Sequence, residues 1–270
     1  MAATTVREMT MTSEIEGKSI LVTGGGRGIG RAASLLCAAR GWAVAVNYTH
    51  DAAAAEKVVA TIEAEGGRAL AVHADVANDA QVQAMFETID RALPPLAGLV
   101  NNAGVIDFGA RVDAMTPARL QRMFAINVFG SFYCAREAIR RMTTKPGAAR
   151  RAGGHAGGAI VNVSSAAAKL GAPGQYVDYA AAKGAIETFT IGLAKELAGE
   201  GIRVNAVRPG IIETEIHASG GTPDRVAQML PLLPMQRAGT AEEVAEAIVF
   251  LLSDAASYTT GSILEVTGGR

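Results

Sequence analysis

The sequence predicts one α/β domain, a doubly wound parallel sheet of about seven strands with helices on both faces. Three observations carry the prediction. Apolar runs such as Ile20-Leu21-Val22, Val44-Ala45-Val46 and Ile160-Val161 show no polar alternation, which marks strands covered on both sides. Helix-length segments separate these runs in regular alternation along the chain. At 270 residues, with 49% hydrophobic and 19% charged content, the chain can bury one large core, and no boundary divides it.

Residues 1–16 read as a frayed polar leader and 17–270 as the domain. Ser19–Thr23 is the first strand and runs through a glycine-rich turn into a helix over Gly28–Arg40. Ala43–Tyr48 is the second strand. Asp51 is placed to cap a helix over Ala52–Glu65. Ala69–His73 is the third strand, and Asn78 opens a helix that runs to Ala92. Leu96–Asn101 is the fourth strand. Thr116-Pro117 enters a long helix that reaches Met142. Ala159–Val163 is strand five, Val177–Leu197 a helix, Ile202–Val207 strand six, Ala241–Leu252 a helix and Ser262–Val266 the last strand. Two stretches break the rhythm. Residues 143–158 form a basic, glycine-rich connection. Residues 212–239 leave the carboxyl end of strand six and are a candidate substrate lid.

Composition excludes several function classes. A net charge of −1 gives no electrostatic case for nucleic acid or an acidic membrane. No apolar run reaches the ~18 residues of a membrane span. The start, Met1-Ala-Ala-Thr-Thr, lacks the apolar core of a secretory signal, so the cytoplasm follows by elimination. Cys37 and Cys134 read as buried free thiols rather than a disulfide framework. His50, His155 and His217 have no metal-ligand spacing, so no metal is expected.

The chemistry concentrates in two motifs. Tyr179-Ala-Ala-Ala-Lys183 puts a phenol and an ammonium on one helix face. A phenol with a pKa of ~10 is a poor acid or base at neutral pH. A neighbouring ammonium favours phenolate and is expected to pull that value down toward working pH. Tyr176 competes by proximity, but the residue four further on is Ala180. The second motif is Thr23-Gly24-Gly25-Gly26-Arg27-Gly28-Ile29-Gly30, set between the first strand and the first helix. Its glycines permit a tight turn, and the helix start offers free N–H groups to a pyrophosphate.

With its Gly-x-x-x-Gly-x-Gly spacing and Tyr-x-x-x-Lys pair, the chain from about Lys18 onward closely resembles the short-chain dehydrogenase/reductase family, whose fold is Rossmann-like. Further matches fall in the family's order. The resemblance implies that Asp75 contacts the adenine and that Asn101-Asn102-Ala103-Gly104 steadies the sheet and lines the cofactor. It implies that Thr214, after Pro209-Gly210, contacts the nicotinamide end. It makes Tyr179 the proton donor, with Lys183 lowering its pKa and binding the ribose. Ser165 then bonds the carbonyl oxygen, and Asn127 holds a water that links Lys183 to solvent. The cofactor set so implied is Gly24, Gly26, Arg27, Gly28, Ile29, Gly30, Asn47, Asp75, Val76, Asn102, Ala103, Gly104, Tyr179, Lys183, Pro209, Gly210, Ile212 and Thr214. One spacing departs from the family. Its Ser and Tyr are usually thirteen apart, whereas Ser165 lies fourteen and Ser164 fifteen before Tyr179. Ser165 is favoured and Ser164 stays open. The ending Val266-Thr267-Gly268-Gly269 also departs from a common Asp-Gly-Gly.

Charge argues the cofactor. An acid at the end of strand two would bond the ribose 2′-OH of NAD and repel a 2′-phosphate. That place reads Asn47-Tyr48-Thr49-His50, without an acid, and Arg27 sits inside the glycine turn. NADP(H) is expected, with NAD(H) possible. The expected activity is hydride exchange between that cofactor and a small carbonyl or secondary alcohol. Glucose dehydrogenase-like and 3-oxoacyl carrier-protein reductase-like branches are nearest. A carrier protein would want a basic patch, which Arg136, Arg140, Arg141, Arg150 and Arg151 could form. A non-catalytic cofactor-sensing protein is the rival reading, and such a relative is expected to have lost the Tyr or the Lys. A homotetramer is expected from the resemblance. Apolar spacing supports it at Phe124, Val128, Phe132 and Ala135, at Ile186, Phe189, Thr190 and Leu193, and at Ile263, Leu264 and Val266.

Overall fold

The computed structural model describes residues 17–146 and 157–270. The leader over 1–16 and most of the basic loop, including Arg150, Arg151 and His155, lie outside the described residues, as does the side chain of His217.

The strands are β1 (Ser19–Val22), β2 (Ala43–Tyr48), β3 (Ala69–His73), β4 (Leu96–Asn101), β5 (Gly158–Val163), β6 (Ile202–Pro209) and β7 (Ile263–Val266). They form one seven-stranded sheet in the order β3-β2-β1-β4-β5-β6-β7. Every neighbour pair is parallel; β1 sets Ile20 opposite Val44 on one side and Gly98 on the other. The helices are α1 (Gly28–Ala39), α2 (Ala52–Ala64), α3 (Asp79–Ala92), α4 (Pro117–Phe124), α5 (Gly130–Met142), α6 (Ala167–Leu170), α7 (Val177–Leu197), α8 (Ile216–Ser219), α9 (Arg225–Met229) and α10 (Ala241–Leu252).

Strand periodicity divides the core in two. Ile20, Val22, Val44 and Val46 pack with Cys37 of α1, Val58 and Ile62 of α2, and Val244 and Ile248 of α10. The alternate positions Leu21, Ala45, Leu99 and Ile160 pack with Phe86 of α3, Cys134 and Met142 of α5, and Leu193 of α7. Both faces of the sheet are therefore covered, and burial pushes the Cys37 and Cys134 thiols up to about 12, which leaves them inert. Asp51 and Asn78 accept the capping bonds their positions suggest, from the Ala54 and Gln81 amides at 2.9 and 3.1 Å.

One expected element is different. Pro117–Met142 is not a continuous α-helix. A wider turn over Ala125–Phe129 separates α4 from α5. Asn127 sits in that turn, and its Nδ2 donates to the Met123 carbonyl four residues back at 3.0 Å and to the Val105 carbonyl at 2.9 Å. A side-chain donor that takes an i−4 carbonyl competes with the helix ladder and opens it locally.

The sheet reverses direction at β1. The chain winds outward through β2 and β3, then returns to β4 on the opposite side of β1. That reversal leaves a crevice beyond the carboxyl ends of β1 and β4. The excursion 212–239 folds over the crevice's far end. It closes on itself through an Ile212–Gly239 bridge and a small core of Ile211, Leu233 and Ala238 with Val226 and Met229. No helix among the described residues is long and apolar enough to cross a membrane.

Candidate active site

The turn after β1 and the turn after β4 are bonded to each other across the crevice. Asn102 Nδ2 donates to the carbonyls of Thr23 and Gly24 at 2.8 and 3.1 Å. Thr23 Oγ1 accepts from the amides of Asn102 and Ala103, each at 3.0 Å. Backbone closeness here requires glycine. Gly24 and Gly28 have φ of +62° and +51°. A Cβ on Gly30 would drive into the Gly24 carbonyl and come within 2.5 Å of Asn102 Nδ2. The first turn of α1 can thus approach the β1 strand end, with its amides facing the groove.

Two cavities share this groove. The larger, about 470 Å³, lies along the glycine turn and is lined by Gly24, Gly26, Arg27, Gly28, Ile29, Asn47, Asp75, Val76, Asn102, Ala103, Gly104 and Thr214. The smaller, about 140 Å³, is lined by Ser165, Tyr176, Tyr179, Lys183, Pro209, Gly210, Ile212 and Thr214. Ile29, Asn102, Gly104 and Thr214 border both, so the two are continuous. The glycine-shaped recess and the run of cavity from Arg27 to Lys183 fit an elongated dinucleotide with its phosphates at the α1 start.

One expected cofactor contact, Gly30, packs beneath the turn and lines neither cavity. Asn127 is 1% exposed and lies beneath the surface. Its Oδ1 accepts from the Val105 amide at 3.2 Å, and a Cβ on Gly104 would fall 2.8 Å from that oxygen and 3.5 Å from Lys183 Nζ. Gly104 therefore lets Asn127 and Lys183 close in on one point. Asn47 borders the larger cavity, but its polar atoms are spent inside the protein. Its Oδ1 accepts from the Gly24 amide at 3.2 Å, and its Nδ2 donates to the Val72 and Ala74 carbonyls at 3.3 and 3.0 Å. Its role is to tie the glycine turn to β3.

Around the reacting end, α7 presents Tyr179 and Lys183 to the loop that follows β5. Ser165 and Tyr179 line the smaller cavity together, and Ser165 is near enough to pull the Tyr179 pKa down in part. Ser164, in contrast, is 2% exposed and gives its hydroxyl to Glu187 at 2.8 Å. Lys183 Nζ donates to the Val163 carbonyl at 2.8 Å and lies 5.6 Å from the centre of the Tyr179 ring. Tyr176 meets that ring edge-on with centroids 5.9 Å apart.

The titration of this pair differs from the sequence expectation. Burial pushes Tyr179 up to about 12, against the opposing pull of Ser165. Burial also takes Lys183 down to about 8. Both groups leave water together, and loss of hydration is the leading cause of each shift.

Several functional side chains were not legible in the motifs. Asp178, directly before Tyr179, is gripped by Arg119 of α4 through Nε and Nη2 at 2.8 and 3.2 Å. That buried fork fixes the start of α7 against α4. Arg208 grips Glu187, the partner of Ser164, at 2.7 Å. Arg225 of α9 lines the smaller cavity. Charge sign beside a recognised motif was the available signal for Asp178; Arg225 had none beyond its place in the excursion. The suspected basic patch is largely spent on carboxylates: Arg136 pairs with Asp79 and Glu137, Arg140 with Glu137, and Arg141 with Asp90 and Glu137.

Comparison with known proteins agrees with this geometry. A family model described as Enoyl-(Acyl carrier protein) reductase matches residues 24–270. An uncharacterized oxidoreductase of Escherichia coli, YgfF, is 54% identical over 250 residues, covering 93% of this chain and 98% of that protein. A 3-oxoacyl-[acyl-carrier-protein] reductase of Synechocystis is 40% identical over 254 residues, covering 92% of this chain and 95% of that protein. Among solved structures, a short chain dehydrogenase from Burkholderia cenocepacia in complex with NADP superposes with a TM-score of 0.84 at 32% identity, covering 94% of this chain and 98% of that one.

Proposed function

The chain belongs to the short-chain dehydrogenase/reductase family of oxidoreductases, and we propose that it is an NADP(H)-dependent carbonyl reductase with Tyr179 as its proton donor. The observation that carries this reading is the convergence of Ser165, Tyr179 and Lys183 on one small cavity continuous with the glycine-turn groove. Bound NADPH supplies the hydride. Gly24, Gly26, Gly28, Asn102 and Gly104 would hold it along the groove, and Arg27 would meet the 2′-phosphate. Ser165 would donate to the substrate's carbonyl oxygen as negative charge develops on it. Tyr179 would give that oxygen its proton, and Lys183 would hold positive charge nearby. A phenol pushed up to about 12 carries its proton at neutral pH, which supports the reductive direction over alcohol oxidation. The intact Tyr-Lys pair weighs against a non-catalytic cofactor sensor.

The test is NADPH consumption against a small reactive diketone, with Tyr179→Phe as the control. Oxidation of NADPH by the starting protein and its loss in the variant are expected; no turnover with any carbonyl compound would sink the reductase reading.

We also propose a homotetramer. Ile186, Thr190, Leu193 and Ala135 are buried against the chain's own sheet, so the stripes are partly internal. Yet Phe129 in the turn before α5, Phe132 on α5 and Ile191 on α7 stay 50, 44 and 41% exposed, and Phe250, Tyr258 and Leu264 stay exposed near β7. Two separate apolar faces support two two-fold interfaces. Sedimentation equilibrium should report four chains; a monomer would remove the proposal.

A further inference from the structure

Arg225 occupies an unusual electrostatic position. It is 9% exposed, and its guanidinium carbon lies 5.3 Å above the Tyr176 ring, the same ring that packs edge-on against Tyr179. It lines the small cavity beside Ser165 and Tyr179. Other little-exposed arginine side chains are compensated. Arg119 takes Asp178 at 2.8 Å, Arg141 takes Asp90 at 2.7 Å, and Arg208 takes Glu187 at 2.7 Å. Half-buried Arg203 donates to the Leu251 and Leu252 carbonyls at 2.6 and 3.0 Å. Among the described residues, Arg225 has neither a carboxylate nor a carbonyl on its guanidinium. Stacking on Tyr176 uses the flat face of the group and leaves its in-plane donors free.

Lys183 and Arg225 are the cationic side chains that line the cavity; Arg270, the last residue of the sequence, lines it with a guanidinium and a terminal carboxylate that offset each other, and among the described residues no Asp or Glu borders it. A cationic cavity concentrates anions, and a buried unpaired cation is costly until an anion joins it. The planar fork of a guanidinium matches a carboxylate with two parallel hydrogen bonds.

We propose that Arg225, held on the Tyr176 ring, is a carboxylate-binding subsite, and that the substrate is a small carbonyl compound bearing a carboxylate. This rests on the reductase reading above and sharpens its substrate class. The subsite would hold the acid group while the ketone or aldehyde carbon faces Ser165 and Tyr179.

Matched pairs of substrates test it: acetoacetate against ethyl acetoacetate, and 4-oxopentanoate against its ethyl ester, with NADPH as reductant. Neutral 2,3-butanedione serves as a control for reduction itself. We expect the acid to exceed its ester in kcat/KM by tenfold or more, with the preference weakening as salt rises. In Arg225→Gln the acid-to-ester ratio should collapse by tenfold or more. In Arg225→Lys, which keeps the charge but loses the fork, part of the ratio should remain. A readout independent of turnover is the melting temperature. Millimolar 4-oxopentanoate should raise it in the starting protein and not in Arg225→Gln. Reduction of butanedione with equal use of acid and ester, or an acid preference that survives Arg225→Gln, overturns the subsite and leaves the reductase reading intact. If none of these compounds is reduced, the melting experiment alone decides the subsite, and the reductase reading is judged by turnover of other carbonyl compounds. If Arg225→Gln does not fold, the starting protein's own ratio and Arg225→Lys decide it.

Discussion

The two ends of the groove are built by different means. At the dinucleotide end, one contiguous segment, Thr23–Gly30, does most of the shaping, and it works through backbone: left-handed glycines and amides brought close to Asn102. At the reacting end, side chains arrive from the loop after β5, from α7, from the end of β6 and from α9. The reacting groups there are side chains, and each group's behaviour depends on how much water its neighbours exclude. The first end is a local geometry that many sequences can write in eight residues. The second is an electrostatic balance that only the assembled fold sets, which is why Tyr179 rises to about 12 where its lysine neighbour alone suggested a fall.

Two substitutions press hardest on the reacting end. Tyr179→Phe should cut turnover by roughly two to four orders of magnitude, the range that a positioned general acid supplies. NADPH should still bind, because the groove beyond Gly104 is untouched. Fluorescence titration of NADPH beside steady-state rates checks both halves, and near-normal turnover would remove Tyr179 from the chemistry. Lys183→Met probes the balance itself. Lys183 titrates at about 8 in the folded chain against 10.5 when unfolded. Between those values the unfolded chain binds the extra proton, so stability should rise with pH across that window. Above pH 10 the raised Tyr179 value acts oppositely: the unfolded chain loses its proton first, and stability falls. Lys183→Met should abolish the rise, which is worth at most about 3 kcal/mol, and lose activity. Chemical denaturation at pH 8 and at pH 10 measures it; the same rise in the variant would assign it to another group.

Legibility in the sequence follows the same division. The sheet, its strand boundaries within a residue or two, and the glycine turn were readable because they rest on local pattern: unbroken apolar runs, Asp51 and Asn78 at helix starts, and Gly24, Gly28 and Gly30 at fixed spacing. The break at Asn127 was hidden because Pro117–Met142 keeps helical periodicity throughout, and the Asn127 side chain is held in the turn by Val105, a residue distant in sequence. The internal bonding of Asn47 was hidden for a related reason. Its position at the end of β2 is where the ribose is expected, but its side chain is consumed by carbonyls of β3 that only the sheet brings near. Arg225 was hidden most deeply, since neither period nor motif marks residues 212–239.

Gly30→Ala tests whether the dinucleotide end really is a matter of backbone approach. One methyl at that position would strike the Gly24 carbonyl and Asn102 Nδ2, both of them fixed by the hydrogen bonds between the two turns. Overpacking of this kind costs about 1–3 kcal/mol. We expect a lower melting temperature together with NADPH affinity reduced by tenfold or more. Gly184→Ala is the matching control, because a Cβ there meets nothing within 4 Å. If Gly30→Ala bound NADPH normally, the close approach of α1 to the β1 turn would not be what forms the phosphate site.

The smallest effect belongs to the one place where the dinucleotide end is expected to use a side-chain charge. Arg27 is exposed at the start of α1 and borders the larger cavity with Thr49 and His50. Asp51 borders it too, but its carboxylate is engaged by the Ala54 amide at the start of α2. A 2′-phosphate bound here is expected to find its partner in Arg27, although Asp51, Asp75 and Glu215 also border the cavity and Asp51 keeps its charge while capping α2. The starting protein should favour NADPH over NADH by tenfold or more in kcat/KM, about 1.4 kcal/mol. Arg27→Ala should narrow the gap by weakening NADPH, with NADH little changed, because the ribose hydroxyl of NADH offers the guanidinium no charge. Since the arginine is solvent-exposed, its contribution should shrink with rising salt, whereas the loss caused by Gly30→Ala should not. That contrast separates charge from shape within one half of the groove. Equal use of both cofactors by the starting protein would mean that Arg27 points away from the nucleotide and that shape alone binds it.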